Sequence, residues 1–449
     1  MIYTIDKSRT IGATNVYRHV ILNDDSSIFA TFGPSFDYIN FVNKGKVYVT
    51  DSADFGGLSC IISVQKPINN DSIIKNSGTL SIDLDGMGFG GNLANARGIR
   101  CDSWSPKIIN EGLILVSAAG GAWGIEGWGY KDTFGVTNSG TIAVMSPRSA
   151  TALYLPNGAV IVNSGTISAS AADAWAICMA AIGAGTITNL PGGVISATRT
   201  SGTSPSLGIT FFANGTVPVI TNFGTISADH AIEERNDNGN GRADSAQQVV
   251  YNYGLIKGAI ILGLGQDHLT NSGRIIGDVS MGSGEDWVDL TGGSVSGVVD
   301  GGSGNDNMVG GDKADRFIGG PGYDRLTGGS GADVLTGGRD VDVLSGGLGR
   351  DLFVYHSIAD SAYTGRDIIL DFVVGQDRID LSAIDAVRGG ADNTFVLSDA
   401  PPSKGHGAGV VWFDSASHTL FASNDVDAMP ELAIQMDGVT AITAADLIL

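Results

Sequence analysis

Residues 301–354 read GGSGNDNMV-GGDKADRFI-GGPGYDRLT-GGSGADVLT-GGRDVDVLS-GGLGRDLFV, six nonapeptides in tandem without a gap. Every copy opens Gly-Gly and carries Asp at its sixth position: Asp306, Asp315, Asp324, Asp333, Asp342 and Asp351. Every copy has a large apolar residue at its eighth: Met308, Phe317, Leu326, Leu335, Leu344 and Phe353. Uninterrupted self-similarity at a short fixed period is the mark of a stacked solenoid. Side chains alternate along a strand, so the apolar residue two places after the Asp points into the solenoid. The glycines allow φ > 0 and close backbone approach, so each turn can fold around an ion. The turn carbonyls and the Asp carboxylate are the hard oxygen donors that Ca²⁺ prefers. Two nonapeptides make one coil with turns on opposite sides. Stacking then places Asp306, Asp324 and Asp342 in one column and Asp315, Asp333 and Asp351 in the other, with an ion between turns of adjacent coils. Lys313 and Asp340 replace the motif's third glycine, so those two turns depart from the ion-binding pattern. Asp360 lies beyond the nonapeptides and is expected to matter little to ion binding.

Upstream a longer repeat appears. A motif of the form Asn-x-Gly-x-apolar, preceded by β-formers, begins at Asn43, Asn76, Asn110, Asn138, Asn163, Asn222, Asn252 and Asn271, with a lengthened copy at Asn189. Periods of about this size, each with a strand–turn–strand signature, are coils of a parallel β-helix. The Asn is expected to tolerate a tight turn and the Gly to supply φ > 0. Gly263-Leu-Gly-Gln-Asp267 and Gly282-Ser-Gly-Glu-Asp286 share the G-x-G-x-D turn of the nonapeptides, and Asp267, Asp286 and Asp306 are 19 and 20 residues apart. They extend the first Asp column. The organisation expected is a right-handed parallel β-helix over 1–260, transitional coils over 261–300, a calcium-binding parallel β-roll over 301–354, and a C-terminal β cap over 355–449. The fold class is all-β.

After the repeats, the stretches Asp351-Leu-Phe-Val, Asp367-Ile-Ile-Leu-Asp-Phe and Gly375-Gln-Asp-Arg-Ile-Asp-Leu-Ser resemble the C-terminal region of serralysin-type secreted metalloproteases. The nonapeptides are similar to the RTX, or hemolysin-type, calcium-binding repeat. Repeat modules of secreted alginate epimerases and some lipases share this resemblance, and the N-terminal part resembles repeat-rich bacterial β-helix surface proteins. The likeness implies Ca²⁺ as cofactor, folding on Ca²⁺ after export, and an extracellular or cell-surface location. The ending Asp446-Leu-Ile-Leu449 resembles the uncleaved signal read by type I secretion machinery, the partner so implied. Terminal residues generally carry few packing contacts, so these four are expected to be dispensable for the fold.

Family catalysis does not follow. None of the six His begins an H-E-x-x-H zinc motif, and there is no G-x-S-x-G elbow and no Asp-Pro-His stretch. The net charge of −21 disfavours nucleic acid as a partner. No run approaches the roughly 18 apolar residues of a membrane helix, and Met1–Lys7 has no signal-peptide pattern. Cys60, Cys101 and Cys178 are an odd count without a C-x-x-C pair and are expected to be buried filler.

Two places in the upstream half could carry chemistry. The charged stretch 229–244 offers His230, Glu233 and Arg235 as acid–base groups, set against a solvated loop. Its Asn236, Asn238, Asn240 and Gly241 partly mimic an EF-type loop, but Gln247 stands where the closing carboxylate belongs. The run GGAWGIEGWGY sets Trp123, Trp128 and Tyr130 together, for stacking on sugars or for packing. The first functional expectation is a non-enzymatic surface-layer, matrix or adhesin-like protein that self-assembles or binds cell-surface polysaccharide. The second is a polysaccharide lyase or epimerase acting on the β-helix face.

Overall fold

The computed structural model describes the strands at 2–5, 19–22, 30–32, 40–43, 46–49 and 58–64, then residues 73–84, 95–101, 107–127, 134–156, 158–180, 185–211, 219–235, 247–387, 393–402, 408–425 and 429–449. Trp128, Tyr130 and the EF-like positions Asn236 to Gly241 lie outside them, as does the side chain of Cys60. The chain forms two compact units, Met1–Ile261 and Leu262–Leu449. Both are built from stacked parallel strands, with one short 3₁₀ turn at Ala444–Asp446 and no α-helix among the described residues. No helix among the described residues is long and apolar enough to cross a membrane.

In the first unit the described coils from Lys107 to Phe211 each have three strands, and Thr225–Glu234 then continues the second and third faces as one strand. Lys107–Asn110, Leu113–Ala118 and Gly121–Gly127 are followed by Gly135–Asn138, Thr141–Met145 and Ser149–Pro156. Each strand pairs in parallel with its successor, as in Ile108↔Val136, Ile114↔Ile142 and Trp123↔Thr151. Period-2 alternation sends one set of side chains inward, and Ile108, Val136, Ile161, Ile187, Ile220 and Val250 stack as a fully buried column. Cys101 and Cys178 are buried in this unit.

The Asn-x-Gly motif works otherwise than the turn chemistry suggests. Asn76, Asn110, Asn138, Asn163, Asn189, Asn222 and Asn252 are at most 1% exposed. Each Nδ2 in turn donates to Oδ1 of the next Asn at 2.7–2.8 Å. From Asn110 onward it also donates to the carbonyl of the glycine that follows in its own motif. An amide is both donor and acceptor, so a column of amides satisfies itself. The motif glycines Gly112, Gly140, Gly165, Gly224 and Gly254 do not have positive φ. They are glycine because a Cβ would run into the carbonyl oxygen of the equivalent residue one coil earlier.

The second unit begins with coils of three short strands: His268–Asn271, Arg274–Ile276 and Val279–Ser280, then Trp287–Asp289, Ser294–Val295 and Val299–Asp300. From Asn307 the coil tightens to two strands, and pairing advances by 18 residues, as in Met308↔Leu326, Leu326↔Leu344 and Phe317↔Leu335. The eighth-position residues are all 0–1% exposed and fill the roll. Asp367–Ile369 and Arg378–Asp380 add the next strands to its two faces.

The cap is an antiparallel sheet of Val410–Asp414, Thr419–Ser423 and Leu432–Met436, the last of which runs parallel beside Asp367–Ile369. Leu447–Ile448 pairs with Arg378–Asp380. This overturns the expectation that the final residues are dispensable for the fold. Asp446 is 1% and Leu447 3% exposed. Asp446 accepts from the Gly375 N–H at 2.6 Å and from the Thr443 N–H and hydroxyl at 2.6 and 2.8 Å.

Candidate metal centre

Each sixth-position Asp follows a tight turn and opens a short strand, and each is 3% exposed or less. The carboxylates stack through one repeated bond: the backbone N–H of each Asp donates to Oδ1 of the Asp one coil later. One column runs Asp267, Asp286, Asp306, Asp324, Asp342 and Asp367, with bonds of 2.7–3.0 Å. The other runs Asp315, Asp333, Asp351 and Asp377, with bonds of 2.7–3.0 Å.

Asp367 and Asp377 join the columns although no Gly-Gly precedes them, which hides them from the nonapeptide pattern. The signal that marks them is the second half of the repeat, Asp-x-apolar: Asp367-Ile-Ile369 and Asp377-Arg-Ile379, of which Ile369 and Ile379 are 0% exposed.

The second carboxylate oxygen decides what the columns can hold. Oδ2 of Asp286, Asp306, Asp324, Asp333, Asp342, Asp351 and Asp367 is buried without a hydrogen-bond partner. Buried polar atoms are ordinarily satisfied, so a row of carboxylate oxygens without hydrogen-bond partners suits a cation or a proton. The first glycine of the repeat makes the room. A Cβ on Gly301, Gly319 or Gly328 would strike Oδ2 of Asp306, Asp324 or Asp333 and crowd the carbonyl oxygen of Gly319, Gly337 or Gly346 in the next coil. Carboxylate and carbonyl oxygens thus border one cradle, a donor set suited to Ca²⁺. Positive φ belongs to other glycines: the second, such as Gly320 at 112°, and the one at position four, such as Gly322 at 149°. No three His, Cys, Asp or Glu side chains converge on one point among the described residues. Any ion there must take much of its shell from the backbone.

The two irregular turns differ. At Lys313 neither Gly311 nor Lys313 has positive φ, and the Gly311 N–H donates to Asp315 Oδ2 at 2.9 Å. That carboxylate is satisfied by its own turn, as is Asp377, whose Oδ2 accepts from the Val373 N–H at 2.8 Å. Asp340 instead adopts φ 83°, which Asp tolerates better than most residues, and Asp342 Oδ2 stays bare.

Burial lifts these acids far above the ordinary carboxylate range. Desolvation pushes Asp286, Asp324 and Asp333 up to about 6 and Asp306 to about 7. Asp342 reaches about 8 and Asp367 about 9, with desolvation again the main cause and mutual repulsion adding to it. Asp360 is not a bystander, contrary to expectation. It is 8% exposed, accepts the His356 and Ser357 N–H groups at 2.8 and 3.0 Å, and its charge helps raise both Asp342 and Asp367.

In the first unit, His230, Glu233 and Arg235 do come together. His230 Nδ1 lies 2.9 Å from Glu233 Oε2, Arg235 Nε donates to Glu233 Oε1 at 3.1 Å, and the Arg235 guanidinium sits 5.6 Å from the Trp175 ring centre.

Residues 261–449 match the family described as the peptidase M10 serralysin C terminus. This segment is a serralysin-type RTX domain. Two solved relatives are the AlgE6R3 and AlgE6R2 subunits of the Azotobacter vinelandii mannuronan C5-epimerase. The first is 28% identical, covering 32% of this chain and 78% of that one, with a TM-score of 0.24. The second is 26% identical, covering 31% and 91%, with a TM-score of 0.22. No curated protein matches the chain. Serralysin-type RTX repeats bind Ca²⁺ as a class.

Proposed function

We propose that this is a secreted, calcium-binding structural or surface-associated protein, of surface-layer, matrix or adhesin kind, exported by type I machinery and folding on Ca²⁺ outside the cell. The observation that carries the calcium reading is the row of buried carboxylate oxygens without partners. Asp286, Asp306, Asp324, Asp342 and Asp367 in one column, and Asp333 and Asp351 in the other, would hold the ions together with turn carbonyls. Bound Ca²⁺ would supply the positive charge these columns lack. The chain itself contributes the spacing, the glycine-made cradles and the N–H groups that fix each Oδ1. Asp267 belongs to the first column by register. Export is supported by the RTX family, whose members are typically secreted. Self-assembly or a cell-surface polysaccharide would be the partner outside.

Calorimetric calcium titration of Asp324→Asn beside Asp399→Asn tests this. Asp399 is exposed, and both changes remove one charge. Losing one mid-column carboxylate should weaken binding about tenfold or more, the worth of one charge-assisted contact, while Asp399→Asn leaves it unchanged. Equal losses would mean that bulk acidity attracts the ion. A second reading, a polysaccharide-active enzyme, is favoured by the convergence of His230, Glu233 and Arg235. It requires that Glu233→Gln abolish turnover of a glycan substrate.

A further inference from the structure

In the second unit, the strands that follow the first Asp column send two rows of side chains outward. One row runs His268, Trp287, Asn307 and Arg325, the other Thr270, Asp289, Val309 and Thr327. None of these residues is buried, and Trp287 is 43% exposed. His268 and Trp287 stack, with rings 3° from parallel and centres 6.3 Å apart. Partial burial lowers the His268 pKa against the pull of Asp289, so the imidazole in this stack is uncharged at neutral pH. The stack turns the second indole face away from His268, along the row toward Asn307 and Arg325. Arg325 is exposed, and its guanidinium makes no ion pair or hydrogen bond among the described residues. Trp287 and Arg325 stand two strands apart, roughly 9.6 Å at about 4.8 Å per strand. Only the short Asn307 lies between them in the row.

We infer that the gap between Trp287 and Arg325 is a binding slot for one neutral hexopyranose unit of a polysaccharide. The inference deepens the reading of a cell-surface polysaccharide as partner and rests on it. Width selects the ligand. A flat aromatic ring in van der Waals contact on both sides needs about 7–8 Å, too little to fill this gap, whereas a puckered pyranose with its ring hydrogens and hydroxyls is thicker. The chemistry agrees. The indole face takes the apolar face of a sugar ring. Asn307, at the floor of the slot, offers an amide donor and an amide acceptor. Asp289 lies two residues along the strand from Trp287; its Oδ1 takes the Thr291 N–H at 2.8 Å, which leaves Oδ2 to accept from a sugar hydroxyl. The Arg325 guanidinium brings donors alone, so it answers hydroxyl and ring oxygens from the far side. Charge argues for a neutral ring. A uronate would gain at Arg325 and lose at Asp289, on a chain whose net charge is −21.

The test uses the full-length calcium-loaded protein and saturation-transfer NMR. Methyl glycosides of glucose, mannose and galactose are titrated beside the methyl glycoside of glucuronate. At least one neutral glycoside should bind saturably and more tightly than the glucuronate. Trp287→Ala should weaken that binding about tenfold, the worth of one aromatic stacking contact. Asn307→Tyr fills the slot with a ring and should abolish it. Tyr323→Ala removes an aromatic side chain that is 63% exposed but outside both rows, and should leave it unchanged. Calcium titration of each variant should match that of the parent protein, which shows the roll intact. Should Trp287→Ala lose calcium binding, Arg325→Gln takes its place and should weaken sugar binding about tenfold, the worth of one charge-assisted contact. No saturable binding of any neutral glycoside, tighter binding of the glucuronate, indifference to Asn307→Tyr or to Trp287→Ala, or an equal loss in Tyr323→Ala would overturn the proposal. Any of these beside a normal calcium titration leaves the calcium-binding reading standing, so the two readings fail separately.

Discussion

The two units solve one problem with side chains that differ by a single group. In each, a short polar side chain beside a turn is buried and stacked once per coil. In the first unit it is Asn, and each amide donates to the next at 2.7–2.8 Å. In the second it is Asp, whose Oδ1 takes a backbone N–H while Oδ2 finds nothing in most coils. The amide ladder is complete on its own. The carboxylate column is complete only with a proton or a cation, because an ionised carboxylate accepts and cannot donate. The same stacking geometry therefore yields a self-sufficient helix in one place and a conditional one in the other.

Chelation should separate the units most sharply. In excess EDTA at pH 8, hydrogen exchange of the full-length protein should show protection lost across residues 262–387 and retained across 107–235, since only the second unit stacks bare carboxylates. Uniform loss or uniform retention would break the comparison.

Acid should partly replace the metal. Asp306, Asp342 and Asp367 are raised to about 7, 8 and 9 from an ordinary 3.8. The folded second unit therefore holds protons that the unfolded chain releases. Its metal-free stability is greatest below about pH 4 and falls as pH rises through the folded values. Lowering pH from 8 to 5 in EDTA should restore part of the exchange protection in 262–387 and leave 107–235 unchanged. Calcium affinity should move the opposite way and weaken in acid, because protons compete for the same oxygens. Protection that instead falls on acidification would show that the column carboxylates do not govern the metal-free state.

The smallest effect should come from turning one rung of the ladder into a rung of the column. Asn163→Asp removes the donor to Asn189 Oδ1 and to the Gly165 carbonyl. The loss should be about 2–3 kcal/mol in the first unit at pH 8, from unsatisfied buried acceptors, and less at pH 5, where the new acid is protonated. Denaturant unfolding followed by exchange in 107–235 measures it. A pH-independent loss would mean that packing, not charge, distinguishes the two columns.

Much of this contrast is legible in the sequence. The Gly-Gly opening, the sixth-position Asp and the eighth-position apolar residue specify the roll, its two columns and its core, because period 9 and period 2 together fix which side chains share a row. Register between coils is harder to read. Asp367 and Asp377 join the columns after spacings of 25 and 26 residues, and sequence distance alone does not align them. The Asn ladder was visible as a repeat but its purpose was not, since a turn-forming Asn and an inward-stacking Asn have the same spacing. The convergence of Glu126 with Arg97, and of Glu233 with His230 and Arg235, depends on which coils stack and is invisible until the strands are paired.

The irregular turn at Lys313 has a consequence for error correction. Six nearly identical nonapeptides can align with themselves in several ways, and a slip of one coil would keep every apolar residue inside. Lys313 shares its column position with Gly331 and Gly349, whose φ values are 140° and 152°. A chain slipped by one coil would ask lysine to take a conformation that only glycine adopts readily. The flaw in the repeat thus serves as an address mark, telling an otherwise monotonous roll which coil is which.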